Sequence, residues 1–96
     1  MNVMPATINN PAQSPGAEML ALAALGWVLE DEQRAQRLLE LTGLSPDALR
    51  SGLGASNVQS AVLEFISNHE PDLIRCAEAL AVTPEELVQA GQELSR

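Results

Sequence analysis

The chain has 96 residues, 46 % of them apolar, enough for one small globular domain or a domain with a tail. Thirteen acids stand against five arginines and no lysine, for a formal net charge of −8, which disfavours phosphate backbones and anionic membranes as partners. A single cysteine, Cys76, excludes an intramolecular disulfide, and the longest apolar run, the eleven residues from Met19 to Leu29, is too short to span a bilayer.

Residues 1–16 hold three prolines, three asparagines and little to bury, and read as a disordered arm; with no basic flank and no hydrophobic centre they do not read as a secretory signal. From Ala17 onward the pattern is helical. The spacing predicts a first helix over 17–29, apolar nearly all round and therefore central, with Ala21, Ala24 and Gly26 allowing neighbours to approach. Glu30, Asp31 and Glu32 form an acidic corner. Asp31 is suited to cap a helix over 32–42, and Gly43 is its natural left-handed stop. Ser45, Pro46 and Asp47 then open a short helix over 46–52, with Leu44 and Leu49 spaced as a hydrophobic staple. Gly52 and Gly54 mark a join.

A fourth helix is expected over 56–67, with Val58, Ala61, Val62, Phe65 and Ile66 on one stripe. A fifth follows over 70–80, with Leu73, Ala77 and Leu80 inward and Pro71 tolerated in the first turn. The sixth, over 84–94, starts at a capping box made by Thr83 and Glu86, with Val82 and Leu87 as its staple. Ala81 occupies the place of Gly43 in this half. A left-handed stop suits alanine poorly, so the fifth helix is expected to end in another way.

These elements repeat. Residues 17–54 align without a gap on residues 55–92, an offset of 38, with eight identities. Trp27 meets Phe65, Arg37 meets Arg75, Pro46 meets Pro84 and Leu49 meets Leu87. Because the helix-start signals coincide as well, the chain reads as an all-α domain of five or six short helices, built as two tandem three-helix units over 17–54 and 55–92. Trp27 and Phe65 are expected at corresponding buried positions.

Chemistry is sparsely provided. His69 and Cys76 are the only residues of their kinds, and seven helical positions separate them by about 10 Å along the axis. No phosphate-binding glycine motif is present, the acidic corner lacks the spacing of a calcium loop, and two scattered His and Cys cannot make a zinc site. No cofactor and no metal is therefore expected. "CAEALAVTPEELVQAGQEL" has the shape of a helix-turn-helix, but its second helix carries Glu85, Glu86 and Glu93 and no base-reading cation before Arg96.

"ALGWV" at 24–28, "GLSPDALR" at 43–50 and "VLEF" at 62–65 resemble a group of short, all-helical, uncharacterised bacterial proteins classed as a domain of unknown function. The resemblance covers residues 17 to about 92. Members start the second helix with Asp-Pro; here Asp31 is followed by Glu32, a departure that touches only a cap. The resemblance implies a compact helical fold in a bacterial cytosol. It implies no reaction, and no functional residue is carried over.

The favoured reading is a non-enzymatic protein-interaction or regulatory module in the cytoplasm. A small nucleic-acid-binding regulator and a small enzyme or redox protein using Cys76 are the alternatives. The first helix is apolar in every direction and its neighbours are short, so Met19, Leu22 and Val28 are expected at the surface beside Leu87 and Val88 of the last helix. Glu18, Glu30 and Glu85 would rim this patch, which would take a partner helix or a second copy of the chain. Neither nucleic acid nor membrane is expected there.

Overall fold

The computed structural model describes residues 16–96. The arm expected over 1–16 lies, but for Gly16, outside the described residues. Six helices follow in order: α1 (Ala17–Leu29), α2 (Glu32–Thr42), α3 (Pro46–Ser51), α4 (Ser56–Ser67), α5 (Glu70–Leu80) and α6 (Pro84–Leu94).

The starts and stops follow from local chemistry. Asp31 accepts from the amides of Gln33 at 2.9 Å and Arg34 at 3.1 Å, opening α2. Chiefly through the Arg34 amide, these bonds hold its carboxyl below the usual 3.8. Ser45 accepts from the Ala48 amide at 3.0 Å, with Pro46 in the first turn of α3. At α6 the box is complete: the Glu86 amide donates to the Thr83 hydroxyl at 3.1 Å, and the Thr83 amide to the Glu86 carboxylate at 2.9 Å. Both staples close, with Leu49 and Leu87 buried and Leu44 and Val82 packed against the core. Gly43 ends α2 in the left-handed region, φ 75°.

The expectation for Ala81 is corrected. It ends α5 at φ 59°, ψ 41°, in the left-handed region where a Cβ costs about 1–2 kcal/mol. This turn lets the Val82 amide bond the Ala77 carbonyl at 2.9 Å and sends Val82 back onto the core. The two gains hold alanine in a glycine conformation.

The helices repeat at the 38-residue offset. α2 and α5 span 32–42 and 70–80, and α3 and α6 start at 46 and 84. Trp27 and Phe65 are both 8 % exposed. α1 packs on α2 as α4 packs on α5, and each of α1 and α4 also touches the second helix of the other unit. The third helices break this symmetry. α6 runs eleven residues and lies against α4, α1 and α5, whereas α3 stops after six and buries only Leu49. The core is one cluster, centred on α1, α4 and α6, in which Val28, Leu38, Leu63, Ile66 and Leu87 are wholly enclosed.

Candidate functional site

Among the described residues two groupings stand out, a polar cluster where α2 meets α5 and an exposed apolar face on α1; Leu41 of α2 and Ile74 of α5 are exposed apolar residues outside them.

In the polar cluster, Asp72 of α5 is buried, and its Oδ2 accepts from Arg37 Nη2 of α2 at 2.6 Å. His69 Nδ1 lies 3.1 Å from the same oxygen. The Arg37 guanidinium also lies 5.7 Å from the centre of the Phe65 ring. One helical turn earlier, Arg34 stacks 3.7 Å over Trp27, and its Nη2 donates to the Trp27 carbonyl at the C-terminal end of α1. There the guanidinium meets both a π face and the negative pole of a helix.

Cys76, one turn beyond Asp72, is wholly buried, and burial pushes its thiol up to about 11 from the usual 9.0. At neutral pH it is a protonated thiol without solvent access, the opposite of an activated nucleophile. The cluster therefore acts as a clasp between the two units. His69, half exposed, orients on a carboxylate that is already committed to Arg37.

The apolar face runs the length of α1. Met19 is 65 % exposed, Leu22 38 % and Leu29 52 %, and Gly26 lies open between them. Positions 19, 22, 26 and 29 form one stripe on a helix. Leu53, 37 % exposed, adjoins it from the α3–α4 link. That link is pinned by the buried Gln59, whose Nε2 donates to the Leu53 carbonyl at 2.8 Å and reaches Glu18 of α1 at 3.4 Å. Between α1, α2 and α3 a groove of about 240 Å³ opens beside the stripe, lined by Leu25, Leu29, Leu39, Pro46, Leu49, Arg50 and Leu53.

The second unit supplies an internal control. At the offset of 38, Met19, Leu22, Gly26 and Leu29 correspond to Asn57, Ser60, Glu64 and Ser67. A groove between α4 and α6 is lined by Ser60, Glu64, Ser67, Val88, Gly91, Gln92 and Ser95. Ser67, Val88 and Gly91 stand 38 positions after Leu29, Arg50 and Leu53 of the first groove. The same architectural face is thus polar in one unit and apolar in the other. On α4 Asn57 and Glu64 are exposed and Ser60 and Ser67 half-buried against α6, whereas Met19, Leu22, Gly26 and Leu29 of α1 are all exposed.

The expected patch is accordingly redrawn. Met19 and Leu22 are at the surface. Val28 and Leu87 are 0 % exposed: Val28 lies on the core side of α1, and Leu87 is the inward staple residue of α6. Val88 is half-buried and lines two grooves that hold no α1 residue, the one between α4 and α6 and another between α5 and α6 with Ile74, Glu70 and Glu85. Leu29, which completes the stripe, and Leu53, which adjoins it, lie outside the patch expected from the sequence. The signal for Leu29 lay in the 38-residue alignment, read for where the copies differ in polarity instead of where they agree.

Among the described residues no three His, Cys, Asp or Glu converge as metal ligands, and no helix is long and apolar enough to cross a membrane. α6, the would-be recognition helix, buries Leu87 and Ala90 and exposes Glu85, Gln89 and Glu93. Its outward charge is negative, the wrong sign for a phosphate backbone.

Residues 14–96 match the sequence model of a family described as a protein of unknown function, DUF3572, and the chain belongs to that family. No curated protein and no solved structure matches the chain. The family assigns no reaction, so the site is read from its own chemistry.

Proposed function

We propose that this member of the family is a non-enzymatic protein-interaction module of the cytosol, and that the apolar stripe of α1 is its docking face. One observation carries the reading: Met19, Leu22 and Leu29 stand exposed where the second unit, on the same face, carries Asn57, Ser60 and Ser67. A fold that closes well with polar residues at these positions has no need of leucine there. Solvent-facing apolar residues grouped along one helix are a usual mark of a contact surface. The single thiol, buried and protonated, suits a reducing compartment and argues against redox work by Cys76.

The test transfers the second unit's stripe onto the first. The triple variant Met19→Asn, Leu22→Ser, Leu29→Ser should keep its helical circular dichroism and its cooperative unfolding. It should also lose the complex that the unaltered chain forms in the native cytosol. Recovery of the same complex in the same yield by the variant would contradict the proposal.

A further inference from the structure

Resting on that docking reading, we infer that the occupant of the α1 stripe is an amphipathic helix of another protein, apolar along one face and carrying Lys or Arg at both ends of its apolar run. The inference starts from how the charges are spent. All three aspartates sit in ion pairs: Asp31 with Arg34, Asp47 with Arg50 at 3.2 Å and Asp72 with Arg37 at 2.6 Å. Among the described residues none of the ten glutamates does, although Glu18 touches the amide of Gln59. Three of the five arginines are thus engaged internally, and the other two, Arg75 on α5 and Arg96 after α6, make no ion pair among the described residues.

Glu18 in the first turn of α1 and Glu30 just past its last turn bracket the stripe, both exposed. Twelve residues separate them, about 18 Å along the helix. Arg50, beside the groove, pairs with Asp47 at 3.2 Å. The stripe is therefore an apolar run of about three turns with an unmatched negative charge at each end.

A second copy of the chain fits this pattern poorly. Antiparallel stacking of two α1 stripes sets Glu18 against Glu30, parallel stacking sets Glu18 against Glu18, and each copy brings a net charge of −8. A basic amphipathic helix meets both ends with opposite charge. Gly26 lies at the stripe, and a Cβ built there meets nothing within 4 Å among the described residues. It is a place where a second helix backbone can approach closely.

The probes are two synthetic helical peptides with the same three-turn leucine run, one flanked by lysines and the other by glutamates. Each is titrated into the full chain while the side-chain methyl signals of Met19, Leu22, Leu29 and Leu53 are followed by NMR. The lysine peptide should move these methyls and bind about tenfold more tightly than the glutamate peptide at low salt, the size expected of two rim ion pairs. The preference should shrink on raising the salt. Binding of both peptides to these methyls with equal affinity would overturn the basic partner and leave the docking face standing. Movement of Ile74 and Val88 in place of the α1 methyls would overturn the docking face as well. Concentration-dependent movement of the α1 methyls without any peptide would make a second copy the occupant and overturn the inference.

Discussion

Two backbone positions and one thiol carry the sharpest residue-scale expectations. Gly26 sits inside α1, where glycine costs roughly 0.5–1 kcal/mol relative to alanine, and among the described residues no atom uses the space its missing side chain leaves. Gly26→Ala should therefore raise the urea midpoint by that stability, while weakening whatever docks across the stripe. At Ala81, φ 59°, the substitution Ala81→Gly removes the left-handed cost of about 1–2 kcal/mol and adds back unfolded-chain entropy of about 0.4–1 kcal/mol. A net gain between zero and about 1.6 kcal/mol is expected, against a loss of similar size for Gly43→Ala, both read from denaturant unfolding. Cys76 titrates near 11 in the folded chain and near 9.0 when unfolded. Below pH 9 both states hold the proton. Between 9 and 11 the unfolded chain releases it first, so stability falls as pH rises, by about 1 kcal/mol at pH 10. Cys76→Ala should lack this component when the two chains are compared at pH 8 and pH 10. The alanine at 81 also shows where reading by type fails. Its conformation is set by the Val82 amide reaching the Ala77 carbonyl and by Val82 packing on the core, neither of which is visible in the identity of residue 81.

Among the elements, α1 and α6 show how much the chain itself discloses. Helix starts were legible because each is written in local chemistry: Asp31, Ser45 and Thr83 cap the helices their neighbours begin. The direction in which α1 faces was not legible. A helix apolar on every side has no periodic pattern to orient it, so Val28 and Met19 looked equivalent until the packing of α4 and α6 enclosed one and left the other. Leu87 was misplaced for a related reason. Its staple role fixed it near Val82, and that pairing turns the residue inward. The clasp between α2 and α5 was invisible as well, because Arg37 and Asp72 are 35 residues apart and nothing local couples them. Its worth can be measured. Arg37→Ala leaves the Asp72 carboxylate buried with only His69 beside it, and should cost about 1–3 kcal/mol in urea unfolding. In a double-mutant cycle, Asp72→Asn should then cost much less in the Arg37→Ala background than in the unaltered chain.

For the whole molecule, the comparison that matters is between its two halves. They share helix order and helix starts, they bury Trp27 and Phe65 alike, and they are joined by one apolar core with the Arg37–Asp72 pair at its edge. They diverge where α3 stops short and where one unit's outer face is leucine and the other's is serine. The grouping of exposed apolar residues on one side of that divergence is the observation on which the proposed docking face rests. Site-specific photo-crosslinking in the organism of origin measures that distinction directly, with a photoreactive amino acid placed at Leu22 in one variant and at the equivalent Ser60 in another. A discrete adduct from position 22 and none from position 60 is the predicted result. Equal adducts from both positions, or none from position 22, would contradict the assignment of the α1 stripe as the docking face.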